Sequence, residues 1–66
     1  MSPETMIRMA NQIAAFWRSQ PQDPAEQVAE HMKDYWEPGM REQLLTYISQ
    51  GGEGLDPIVT EAARHL

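Results

Sequence analysis

Four times in this chain a proline follows a Ser, Asp or Glu: Ser2-Pro3, Asp23-Pro24, Glu37-Pro38 and Asp56-Pro57. Few dipeptides constrain a fold more. A Ser or Asp oxygen at the first position accepts a hydrogen bond from one of the unpaired N–H groups in a helix's first turn. The proline then takes the first helical position, where its missing N–H has no intrahelical partner to lose. The residue before a proline is driven out of the α region, so each dipeptide also ends any helix before it. Together these starts predict an all-α chain, a small bundle of three to four short helices over about 3–19, 24–36, 38–50 and 57–65.

Each segment carries a stripe at helical spacing. In the first, Met6, Met9, Ile13, Phe16 and Trp17 recur with Ala10 and Ala14 on the same face, while Arg8, Asn11, Gln12 and Arg18 lie opposite. Gln20-Pro21 ends it near Ser19. Asp23 caps the second, where Glu26 is placed for a reciprocal capping-box bond, and Ala25, Val28, Ala29, Met32, Tyr35 and Trp36 form the stripe. Met40, Leu44, Tyr47 and Ile48 line the third, with Leu45 on its flank, and Gly51-Gly52 are placed to supply a left-handed C-terminal cap. Ile58, Val59, Ala62, Ala63 and Leu66 follow the last start, with Leu55 placed to pack back onto Val59 or Ala62. No alternation of period two is sustained, so no strand is expected.

With 66 residues the chain is one domain at most, residues 1–66. A domain of this size buries only about 60% of its unfolded surface and is marginal alone. It has no cysteine, so neither disulfides nor thiolate zinc sites add stability. Helix packing or a partner must supply the remainder. The net charge of −5 disfavours nucleic acid and anionic membranes. Neither a signal-peptide pattern nor a membrane-length apolar run is present, and a cytoplasmic location is expected.

No catalytic constellation assembles by spacing. His31 and His65 fall on different helices, and no nucleophile has a base and an orienting group in register. Glu26, Glu30 and Asp34 share a face but lack the Glu-x-x-His offset of a di-iron helix, and Glu61 with His65 is an isolated pair. Gly51-Gly52-Glu53-Gly54 has neither the lysine of a P-loop nor the preceding strand of a dinucleotide fingerprint, so it reads as a cap and tight connection. Catalytic, cofactor-binding and metal-binding residues are therefore all expected to be absent from this chain.

Two features point outward. Glu26, Glu30 and Asp34 repel one another at i, i+4, relieved in part by Lys33; the row is either a solvated face or the complement of a basic patch on a partner. The adjacent aromatic pairs Phe16-Trp17 and Tyr35-Trp36 are the other. Consecutive helical residues diverge by about 100°, so both members of a pair join one narrow core only at its edges. Either all the aromatics are core or one member of each pair sits at a rim, where Trp and Tyr dominate interfaces. Asn11, a poor helix former in mid-helix, is read as exposed or as a polar contact to a partner.

These residues resemble one family. Ile7-Arg8 followed by Met9-Ala10-Asn11-Gln12-Ile13-Ala14-Ala15-Phe16-Trp17 is similar to the N-terminal helix of the delta subunit of NAD-dependent, molybdenum-containing formate dehydrogenases. His31-Met32 through Tyr35-Trp36-Glu37-Pro38-Gly39-Met40-Arg41 resembles its central motif, and Gly51-Gly52-Glu53-Gly54-Leu55-Asp56-Pro57-Ile58-Val59 its C-terminal signature. Gly39 departs from the pattern, standing where a longer, often basic residue is expected, and Tyr35 stands for a more usual Phe.

The resemblance implies a small accessory subunit that binds no cofactor itself. Its implied partner is a large catalytic subunit carrying bis-molybdopterin guanine dinucleotide and iron–sulfur clusters, within a hetero-oligomer whose NAD-reducing subunits carry FMN. That complex oxidises formate to carbon dioxide. The implied role of this chain is to bind the catalytic subunit and support its assembly, stability or cofactor maturation. Phe16, Trp17, Tyr35, Trp36 and Met40 are the expected partner-binding anchors, with Arg8, Asn11 and Arg41 as polar contacts. The alternative is a transient maturation chaperone or helical regulator not retained in the mature enzyme.

Overall fold

The computed structural model describes all 66 residues, Met1–Leu66. It is all-helical: α1 spans Pro3–Arg18, α2 Pro24–Tyr35, α3 Pro38–Ser49 and α4 Pro57–Ala62, the last continuing into a 3₁₀ turn at Ala63–His65. Every helix begins on its expected proline. The final segment is the one that departs from expectation, its last turn tightening from α to 3₁₀ at the chain end.

Three of the four starts are capped by the preceding side chain. Ser2 Oγ accepts from the Thr5 N–H at 3.2 Å, Asp23 Oδ1 from Ala25 at 3.1 Å and Asp56 Oδ1 from Ile58 at 2.9 Å. Glu37 makes no such bond, although its backbone is extended and its carbonyl accepts from Met40 and Arg41. A Glu carboxylate is poorly matched to the cap position, where shorter side chains dominate. The start of α3 is therefore set by Pro38 and by the backbone of Glu37. The reciprocal bond expected from Glu26 does not form: Glu26 is exposed, and the Asp23 carboxylate accepts only from Ala25.

The stop of α3 is as expected. Gly52 N–H donates to the Tyr47 carbonyl at 3.1 Å and Gly51 N–H to Ile48 at 3.0 Å, the paired bonds of a Schellman motif. Gly52 has φ +62, which a side chain adopts only at a cost.

Helix α2 packs against both α1 and α4, which also touch each other. Alanines make these approaches close. Ala10 and Ala14 on α1, Ala25 and Ala29 on α2 and Ala62 on α4 are all buried, five of the 11 core residues. Helix α3 is joined through longer side chains: Leu44 is fully buried in the core that also holds Met6, Met32 and Trp36, and Met40, Tyr47 and Ile48 pack against that core. Leu55 is half-buried against the same core, and a Cβ on Gly52 would meet it at 3.7 Å. No polar or charged side chain is buried. No helix is long and apolar enough to cross a membrane.

Candidate functional site

The largest concavity is an apolar groove of about 640 Å³ bounded by α1, the end of α2 and the start of α3. On α1, Met9, Ile13 and Phe16 stand at i, i+4 and i+7, flanking the buried row of Met6, Ala10 and Ala14. Facing them are Tyr35, Trp36 and Met40, brought together because the chain turns sharply at Glu37-Pro38. Eight of the ten lining residues are hydrophobic; Gln12 and His31 are the polar exceptions.

The aromatic pairs divide as the helix geometry requires. Trp36 is only 5% exposed and belongs to the core, whereas its neighbour Tyr35 is 75% exposed. Trp17 is half-buried and Phe16 is 56% exposed. The possibility that all the aromatics are core is thus overturned, because α1 and α2 each bury one narrow face. Both outer rings are held by a neighbour. Phe16 meets Trp17 edge-on, with centroids 5.0 Å apart and planes at 88°. Tyr35 lies against His31 at 4.8 Å and 38°. These contacts restrain large apolar surfaces that remain open to solvent.

All five expected anchors, Phe16, Trp17, Tyr35, Trp36 and Met40, line this one groove. The three polar candidates do not join them. Arg8 is exposed on the outer face of α1 beside Ala15, and no hydrogen bond or ion pair holds it. Asn11 is half-buried, correcting its reading as exposed. Its amide donates to the Gly54 carbonyl at 2.9 Å and its Oδ1 accepts from the Asp56 N–H at 2.8 Å. Arg41 turns back onto α2, donating from Nη1 to the carbonyls of Trp36 at 2.9 Å, Lys33 at 3.2 Å and Met32 at 3.4 Å. A helix's last carbonyls lack intrahelical partners and carry partial negative charge, so Arg41 acts as a C-terminal cap for α2.

An amphipathic pattern alone puts Met9 and Ile13 in the core stripe, yet both line the groove. His31, which has neither a base partner nor metal-ligand spacing in the sequence, forms part of the wall beside Tyr35. On the far side of α2, Asp23, Glu26, Glu30, Lys33 and His65 surround a polar depression. No three His, Asp or Glu side chains anywhere converge closely enough to hold a metal ion.

Fold and groove together define a small all-α protein, tied by alanine packing, whose main concavity is an open apolar groove. A family model described as the NADH-dependent formate dehydrogenase delta subunit, FdsD, matches residues 5–63, and the chain belongs to that family. The match contains all three segments on which the resemblance rests: the α1 motif, the Tyr35–Arg41 turn and the glycine-rich signature. No curated protein and no solved structure matches the chain.

Proposed function

We propose that this chain is a non-catalytic accessory subunit that docks, through the α1–α2–α3 groove, onto the molybdenum-containing catalytic subunit of its formate dehydrogenase and supports that subunit's assembly or stability. The observation that carries the reading is the paired outward placement of Phe16 and Tyr35 on either side of one apolar groove. Large aromatic surface rigidly held and left in water is what a hot spot offers before its partner arrives. The family supplies the complex; the groove supplies a surface on which to join it. In this reading the molybdopterin, iron–sulfur and FMN groups all belong to partner subunits.

Co-expression with a tagged catalytic subunit tests it. Phe16→Ala with Tyr35→Ala is expected to lower the amount of this chain recovered with the catalytic subunit at least about tenfold, truncation of central aromatics at interfaces costing that much or more. Undiminished recovery would exclude the groove as the docking surface. Loss of the chain from the purified active enzyme, in place of a fixed ratio, would instead favour a transient maturation factor.

A further inference from the structure

The four helices are not seated alike. Helices α1, α2 and α4 approach one another closely, and α3 makes no comparable approach to any of them. Of its 12 residues only Leu44 is buried. Two hollows lie along its seam with α1. One is the apolar groove, to which α3 contributes Met40. The other, of about 310 Å³, is lined by Pro3 and Met6 from α1 and by Gly39, Gln43, Thr46 and Tyr47 among the residues of α3. A Cβ added at Gly39 would meet nothing within 4 Å, so the space beside the first turn of α3 is open.

The segment lies between two fixed points. Before it, Trp36 is held in the core, and no backbone hydrogen bond spans the Trp36–Glu37 junction. After it, Asn11 holds the Gly54 carbonyl and the Asp56 N–H, which pins the chain to α1 from Gly54 onward. Gly54 itself has φ +87, and a single turn bond, from the Leu55 N–H to the Gly52 carbonyl, reaches across it. The Tyr47 hydroxyl donates to the Glu53 carbonyl and so ties the turn before Gly54 to α3. Two side chains latch the segment down. Arg41 donates to the last carbonyls of α2, and Gln43 Nε2 donates to the Met1 carbonyl at 2.9 Å. No ion pair holds it.

We infer that α3 is a hinged flap: residues 38–53 lift as a unit from a base of α1, α2 and α4 that stays folded, turning about Glu37-Pro38 and Gly54. Opening withdraws Leu44 from the core and breaks the Arg41 and Gln43 bonds, while the alanine packing and the Asn11 clamp of the base persist. It uncovers Met6 and Trp36, 1% and 5% exposed with the flap shut, each of which lines one of the two hollows. The hollows then join into one apolar trough. The depth of the groove is thus set by α3, a property of the chain alone that does not depend on the surface through which it docks.

Native-state hydrogen exchange of the full chain, followed amide by amide, tests this. The α3 amides are expected to exchange at least about tenfold faster than the slowest amides of α1, α2 and α4, through an opening that leaves those protected. Two variants separate the flap from the base. Gln43→Ala removes a latch that is lost both on opening and on unfolding, and is expected to raise exchange in all four helices about threefold or more. Asn11→Ala removes bonds that the open form retains. It is expected to raise exchange of the slowest α1 and α2 amides about fivefold or more while leaving α3 within about threefold of wild type. A merely weak helix in a two-state domain does not give that split, because both variants would then move every helix together. Equal protection of α3 and the base in the wild-type chain would overturn the flap, and that measurement needs no variant to fold. Loss of α4 protection along with α3 would overturn it as well, because the base would not have stayed folded.

Discussion

Asn11 holds Asp56 by its backbone: the Asn11 side-chain oxygen accepts the Asp56 N–H at 2.8 Å across 45 residues of sequence. Its amide simultaneously donates to the Gly54 carbonyl, so one side chain brackets the loop before α4. Asp56 then caps α4 and pairs with Arg18, which lies two turns beyond Asn11 on α1. A residue that is weak for helix propensity thus fixes the entry of a helix at the other end of the chain. Asn11→Ala is expected to destabilise the isolated chain by about 1–2 kcal/mol, since it leaves the partly buried Asp56 N–H unpaired and releases the exposed Gly54 carbonyl to water. Asn11→Asp should fare no better, because it removes the donor to Gly54 and sets a carboxylate near that of Asp56. Urea unfolding of the variants checks both.

Arg41 predicts a separation of stability from docking. Its bonds to the carbonyls at the end of α2 are internal, and Arg41→Ala is expected to cost about 1–2 kcal/mol in urea unfolding of the isolated chain. Arg41→Lys should recover part of this, because a point charge near the helix C-terminus remains favourable. Unaltered unfolding of Arg41→Ala would contradict the capping role.

The two members of the second aromatic pair should behave oppositely. Trp36→Ala empties a core position and is expected to destabilise by about 3–5 kcal/mol, enough to unfold a domain this small. Tyr35→Ala removes a ring that is mostly in water and is expected to change stability by no more than about 0.5 kcal/mol. Thermal unfolding of the isolated variants distinguishes them. It also identifies Phe16 and Tyr35, rather than Trp36, as the positions at which docking is read without loss of the fold.

Two glycines give a test of opposite sign. At Gly52, φ is +62 and an added Cβ would lie 3.5 Å from Ile48 Cα, so Gly52→Ala is expected to cost about 1–2 kcal/mol through the left-handed backbone. Gly39, in the first turn of α3, has negative φ and open space around an added Cβ. Gly39→Ala is expected to stabilise by about 0.5 kcal/mol by restricting the unfolded chain. Tm shifts in opposite directions would confirm the assignment of both.

The bundle's helical punctuation was legible because it is local. Ser2, Asp23 and Asp56 bond N–H groups two or three residues away, and each proline fixes its own φ, so no distant contact is needed to predict them. The failures are equally local in kind. Glu26 fits the capping-box pattern in sequence but leaves Asp23 to Ala25, and the motif does not specify which side-chain rotamer wins. The groove was half legible. Helical periodicity shows that Phe16 and Trp17, or Tyr35 and Trp36, cannot both enter one narrow core, but it does not say which member leaves. Nor does an apolar stripe distinguish Met9 and Ile13 in a groove wall from Met6 in the core.

By itself, then, the sequence determined where helices begin and end and that each has one apolar face, because those properties rest on interactions a few residues long. Only the tertiary structure decided that Asn11 and Arg41 spend their polar groups inside the molecule while Phe16 and Tyr35 face out across one groove. Those outcomes depend on the close α1–α2–α4 approach that the buried alanines permit and on where the Glu37-Pro38 turn carries α3. Whether a side chain is satisfied or left open is settled by its neighbours in space, and these are set only when the helices pack.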